Sequence, residues 1–120
     1  MSKRIAVLGA GAIGSSVGAD LTEAGEDVVL IDQWPAHVEA MRTIGLRVVM
    51  PGKDLRVKVR ALHLGELASE RPVFDVVLLA AKSYDTVWMC HLITPYLADD
   101  GVFVGLQNGM NEEMITPIVG

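Results

Sequence analysis

Arg4-Ile-Ala-Val-Leu-Gly-Ala-Gly-Ala-Ile-Gly14 is the stretch that decides the fold. Its first half, Arg4 to Leu8, is an apolar run too short for a helix and ended by glycines, so it reads as a buried strand. Its second half, Gly9-Ala-Gly11-Ala-Ile-Gly14, has the spacing G-x-G-x-x-G between that strand and a helix beginning near Ala12. Each glycine has its own task in such a turn. Gly9 permits the tight exit from the strand, Gly11 leaves room for a pyrophosphate to approach the backbone, and Gly14 lets helix and strand pack closely. The N–H groups at about Gly11, Ala12 and Ile13 then face the phosphates, with the helix dipole behind them.

The next landmark is Asp32, which ends the apolar strand Val28-Val-Leu-Ile31 and stands 18 residues after Gly14. This fold delivers a carboxylate from that position to the adenosine ribose. A carboxylate there accepts hydrogen bonds from both hydroxyls and repels a 2′-phosphate, which favours NAD over NADP. The competing reading makes Asp32 a cap for the helix that Pro35 begins. Gln33 adds a polar group beside it. The nearest arginines able to neutralise a 2′-phosphate are Arg42 and those of the segment Leu46 to Val59. FAD proteins share the glycine fingerprint, and methyltransferases also place an acid after their second strand, so the cofactor class needs further residues.

Outward from this core, Val/Ile/Leu-rich runs alternate with helical periods, the pattern of a doubly wound, mainly parallel α/β sheet of Rossmann type with helices on both faces. Ile13, Val17, Leu21 and Ala24 form the expected stripe of the first helix, closed by Gly25. Pro35, Val38 and Met41 mark a second helix, stopped by Gly45. Leu46–Met50 and Leu55–Val59 flank the turn-forming group Pro51 to Asp54 and predict a small hairpin. His63 to Pro72 is poorly periodic and reads as a loop with a helical turn. Phe74 to Ala81 is the next buried strand, Val87, Cys90, Ile93 and Leu97 stripe a helix that Pro95 kinks or shortens, and Val102 to Leu106 is a further strand. Asn111 to Glu113 open a last helix. Residues 1–120 make one dinucleotide-binding domain, and such a sheet is expected to continue past Gly120 to a sixth strand and a second domain.

Lys82 and Asn108 each lie just past the C-terminal end of a predicted buried strand, the edge where open α/β sheets bind ligands. With them the chain resembles the N-terminal half of the ketopantoate reductase (2-dehydropantoate 2-reductase) family. The resemblance rests on Gly9-Ala-Gly-Ala-Ile-Gly14, Ala81-Lys-Ser-Tyr-Asp-Thr86 and Leu106-Gln-Asn-Gly-Met110, in that order, and spans essentially all 120 residues. It implies an NADPH-dependent reduction of a ketone, with Lys82 and Asn108 as catalytic residues beside the nicotinamide ribose and the keto acid. It also implies a helical C-terminal domain that carries the proton-donating lysine and is absent from this chain. At the end of the second strand NADPH-dependent members carry an arginine, where this chain has Asp32-Gln33. The expected partners are therefore a small 2-oxo acid, that further domain and, as an assembly, a homodimer. The competing functions are a non-catalytic dinucleotide-binding regulatory module and the cofactor domain of an opine- or polyol-type dehydrogenase.

Composition narrows the remaining classes. Lys+Arg 10 against Asp+Glu 15 gives a net charge of −5, which argues against nucleic acid and against a polybasic membrane surface. One cysteine, Cys90, allows no internal disulfide and suits a reducing, cytoplasmic setting; on its helical stripe it reads as an inert core thiol. Lys3 and Arg4 ahead of Ile5 to Gly14, with Ala19 beyond, have the outline of a signal peptide, but the glycines interrupt the run. No apolar run approaches the ~20 residues that span a bilayer. His37, His63 and His91 lack ligand spacing, so no metal is expected. Trp34 and Trp88 read as packing anchors.

Overall fold

The computed structural model describes residues 3–50, 52–80 and 86–106. Strand β1 (Arg4–Leu8) leads to helix α1 (Ala12–Glu23), β2 (Asp27–Asp32) and α2 (Pro35–Thr43). A hairpin of β3 (Leu46–Met50) and β4 (Lys53–Val57) follows, then β5 (Arg60–His63), α3 (Glu66–Glu70), β6 (Phe74–Leu79), α4 (Thr86–Ile93) and β7 (Leu97–Gly105). The main sheet has five parallel strands in the order β5-β2-β1-β6-β7, and β3 and β4 pair antiparallel apart from it. The expected doubly wound α/β sheet is therefore present, with β1 at its centre.

Alternation along the strands divides the core into two layers. Ala6, Leu8, Val29, Ile31, Val77 and Leu79 face Leu67 of α3 and Met89, Cys90 and Ile93 of α4. Val7, Val28, Leu30 and Ala61 face the other way, onto Ala19 of α1, Val38 and Met41 of α2, and Leu46 and Val57 of the hairpin. Strands buried on both faces need apolar residues at every position, which is why β1 and β2 read as continuous Val/Ile/Leu runs. Each such side chain contributes roughly 1.5–3 kcal/mol by leaving water.

Several expectations are corrected here. The face of α1 that meets the sheet is made of Gly14, Gly18 and Ala19, whereas Ile13 is 56% exposed and Ala24 is exposed too. The cause is distance: a Cβ on Gly14 would lie 1.9 Å from the Gly9 carbonyl oxygen, and one on Gly18 would lie 2.9 Å from Leu30 Cδ2. The helix lies so near the sheet that only the smallest residues fit between them, and its larger apolar side chains are displaced to the flanks. In α4 the buried residues are Met89, Cys90 and Ile93, while Val87 is exposed.

Pro95 shortens that helix as expected: α4 stops at Ile93 and a 3-10 turn, Thr94–Tyr96, carries the chain into β7. Leu97 accordingly begins a strand instead of ending a helix, and β7 is longer than the predicted Val102 to Leu106. The hairpin is present with its second strand set two residues earlier than predicted. β5 was expected as neither strand nor sheet edge. It is four residues long and begins on a charged side chain, Arg60, which ion-pairs with Asp27 at 3.2 Å. Trp34, 63% exposed, and Trp88, 37% exposed, are not buried anchors. Cys90 is fully buried and its burial pushes the thiol pKa up, in keeping with an inert core thiol. Among the described residues no helix is long and apolar enough to cross a membrane. The helix expected at Asn111 to Glu113 lies outside the described residues.

Candidate nucleotide-binding site

The C-terminal ends of the strands set out the site. Gly9, at φ +99°, turns the chain sharply out of β1, and its N–H donates to the Ile31 carbonyl at 2.7 Å. On the other side of β1, the Ala80 N–H donates to the Leu8 carbonyl at 2.9 Å, and the Leu106 N–H to the Leu79 carbonyl at 2.8 Å. The ends of β2, β1, β6 and β7 thus form one edge. The loop after β1 lies where the strand order reverses, the switch point at which such sheets bind ligands.

Gly11 caps α1 in an extended conformation, and the Ser15 N–H to Gly11 carbonyl bond of 2.8 Å opens the helical ladder. The preceding amides of the first turn carry no intrahelical bond, as at any helix start. A Cβ added to Gly11 would meet nothing within 4 Å, in contrast to Gly14. The loop therefore opens onto free space at Gly11 and is closed by protein at Gly14. Donor amides, a helix dipole and open space beside a glycine fit a bound pyrophosphate.

Ala10, between Gly9 and Gly11, is 3% exposed, and its N–H and carbonyl are both engaged. Its N–H donates to Asp32 Oδ2 at 2.9 Å, and its carbonyl accepts from Ser15 Oγ at 2.8 Å and from His37 Nε2 at 2.9 Å. Asp32, 5% exposed, is the one buried charged residue among the described residues. Its second oxygen, Oδ1, accepts from the Trp34 N–H at 2.9 Å. The carboxylate therefore holds the glycine loop with one oxygen and the start of α2 with the other. Asp32 is not the N-cap of α2: that position is Trp34, which has no side-chain cap, and the Asp32 bond to the Trp34 N–H is a turn just ahead of the helix.

The segment after Asp32 is braced from β5. His63 stands opposite Asp32 in the sheet, its Nδ1 accepts from the Gly65 N–H at 3.2 Å, and its Nε2 lies 3.2 Å from the Gln33 carbonyl. These partners assign the neutral tautomer with the proton on Nε2. Glu66 Oε1 accepts from the His63 N–H at 2.8 Å and from Arg42 Nη2. The Arg42 guanidinium, and secondarily the His63 amide, hold the Glu66 carboxyl below its usual range. Arg42 Nε is also bonded to the Ala61 carbonyl at 2.9 Å. Arg47 pairs with Asp54 and Arg56 reaches the Ile44 carbonyl, so Arg42 and both arginines of the Leu46 to Val59 segment have other partners.

Gly9, Gly11, Ala12, Ile13, Gly14 and Asp32 are thus brought to one place. Lys82 and Asn108 lie outside the described residues. Ser15, His37 and His63 belong to no sequence motif that marks them as site residues. Ser15 had a faint signal as a hydroxyl directly after the last glycine, but nothing in the spacing foretells a contact between His37 and a loop 27 residues earlier.

A parallel sheet with a braced glycine loop at its switch point and a carboxylate at the next strand end defines a Rossmann-type nucleotide-binding domain. More particularly, the chain belongs to the ketopantoate reductase PanE/ApbA family, whose model matches residues 5–119. It is 42% identical over 110 residues to a 2-dehydropantoate 2-reductase of Pyrococcus abyssi, covering 92% of this chain and 34% of that protein. A 2-dehydropantoate 2-reductase of Lactococcus lactis subsp. lactis is 34% identical over 92% of this chain and 35% of its own length. Among solved structures, the ternary structure of D-mandelate dehydrogenase with NADH and anilino(oxo)acetate superposes with a TM-score of 0.86 at 32% identity, over 97% of this chain and 37% of that one. The 2-dehydropantoate 2-reductase of Geobacter metallireducens gives 0.84 at 33%, over 98% and 38%. The chain spans about a third of the length of the curated relatives it matches.

Proposed function

We propose that this chain is the dinucleotide-binding part of an oxidoreductase that moves hydride between nicotinamide and the carbonyl of a small 2-oxo acid, with NAD preferred to NADP. The observation that carries the reading is the glycine loop, open at Gly11 and tied to Asp32 at the switch point. The relatives support the substrate class, since 2-dehydropantoate and anilino(oxo)acetate both present a carbonyl next to a carboxylate. When bound, the nicotinamide supplies or accepts the hydride. The amides near Gly11, Ala12 and Ile13 hold the pyrophosphate. Lys82 meets the nicotinamide ribose or the substrate oxygen, and Asn108 the nicotinamide end.

The cofactor preference rests on charge. Each oxygen of Asp32 is bonded to one backbone N–H and keeps a second lone pair, which a ribose hydroxyl can use. A 2′-phosphate at the same place meets a carboxylate, and Arg42 is held by Glu66 and Ala61. The NADH in the D-mandelate dehydrogenase structure agrees with this choice. Calorimetric titration should show NADH binding at least about tenfold more tightly than NADPH, the scale of one charge-assisted hydrogen bond. Asp32→Asn should narrow that ratio. Tighter binding of NADPH, or an unmoved ratio in the variant, removes the preference; failure of both cofactors to bind removes the dinucleotide reading.

A further inference from the structure

We propose that His37 is a positioning residue for the phosphate-binding loop, acting through the Ala10 carbonyl. The inference rests on the dinucleotide reading above, and the contact itself is open to a test without any cofactor. A carbonyl oxygen only accepts, so His37 Nε2, 2.9 Å away, carries the proton. Ser15 Oγ at 2.8 Å supplies the second donor, and together they occupy both lone pairs of that oxygen.

The consequence follows from peptide geometry. The backbone contains no cis peptide among the described residues, so the Ala10 carbonyl and the Gly11 N–H share a plane and point in opposite directions. Pinning the carbonyl toward Ser15 and His37 therefore turns the Gly11 N–H away from them. Asp32 pins the other side of Ala10 through its N–H. Two of these three partners, Asp32 and His37, flank Trp34, the residue that precedes α2, so the loop expected to take the pyrophosphate and the segment expected to take the ribose are joined as one unit. Asp32 joins the loop to the residue before α2 through its two oxygens. His37 adds the direct link from the helix itself.

Three forms of this chain test the assignment: wild type, His37→Ala, and His37→Gln, whose side-chain amide offers an N–H at a similar reach. His37→Ala should weaken NADH binding about tenfold, the effect of losing one hydrogen bond, and shift the Ala10 carbonyl-carbon resonance without cofactor. His37→Gln should restore the affinity to within about threefold of wild type and return that resonance toward its wild-type position. Unchanged NADH affinity in a folded His37→Ala protein overturns the proposal. A loss that His37→Gln does not rescue also overturns it, because that loss belongs to the ring's packing. Should His37→Ala fail to fold, the same comparison is made in a Ser15→Ala background, where His37→Gln must keep NADH binding near that of Ser15→Ala. If wild type binds neither NADH nor NADPH, the dinucleotide reading fails by itself, and an Ala10 carbonyl-carbon resonance that is equal in wild type and His37→Ala overturns the His37 contact separately.

Discussion

Gly11 and Gly14 differ in what a methyl group would meet, and that difference separates binding from folding at single residues. A Cβ on Gly11 enters open space, at a backbone conformation of φ −74° and ψ −159° that alanine adopts freely. Gly11→Ala should therefore keep its melting temperature and lose cofactor affinity. A Cβ on Gly14 falls 1.9 Å from a backbone oxygen of Gly9, which cannot move without unmaking the turn. Gly14→Ala should be destabilised by about 3 kcal/mol or more, at the upper end of overpacked sites. Thermal melts and NADH titrations of the two variants check both halves; equal melting temperatures would mean that helix and strand are less tightly apposed than the geometry requires. Asp32 shows a limit of residue-level reading. Its place after β2 was legible because strand ends are, but its buried bonds to Ala10 and Trp34 depend on how two turns meet in space.

At the level of elements, hydrophobic period located the strands and misjudged a helix face. β1, β2 and β6 are legible because a strand covered on both sides must be apolar throughout. The stripe Ile13, Val17, Leu21 and Ala24 holds at Leu21, which packs on the core, and misleads at Ile13 and Ala24, because periodicity detects large apolar side chains whereas contact at short range selects glycine and alanine. β5 escaped notice for a related reason: a short edge strand needs few apolar residues, and it begins with the charged Arg60. Its connection to α3 carries a measurable electrostatic signature. The Glu66 carboxyl is held below its usual range by Arg42 and the His63 amide, so its stabilisation is present above the ordinary carboxylate pKa and is lost as the pH falls through its lowered folded value. Both partners are about one-third exposed, which keeps the effect small. Glu66→Gln should lower the melting temperature by a few degrees at most at neutral pH, and this deficit should shrink in acid below the carboxylate pKa of about 4.3. Melting curves from neutral pH to about pH 3 check it; a deficit that grows in acid would show that the carboxylate is not the source.

For the whole molecule, the two core layers meet at β1, which supplies Ala6 and Leu8 to one and Val7 to the other. The relatives are about three times as long as this chain, so we expect the chain alone to bind dinucleotide and to turn over a 2-oxo acid poorly or not at all. Steady-state assay with NADH and ketopantoate tests this expectation, and turnover at a rate typical of complete enzymes, about 10 per second, would refute it. A final consequence follows from the three bonds that run across the strand ends, from Gly9 to Ile31, Ala80 to Leu8 and Leu106 to Leu79. All-parallel strands end in the same direction, and their last carbonyls would otherwise line the mouth of the site with partial negative charge. Here the chain leaving β1, β6 and β7 bonds an end carbonyl of β2, β1 and β6 respectively. Three acceptors that would face a diphosphate are thereby engaged, while the amides at the head of α1 remain as donors.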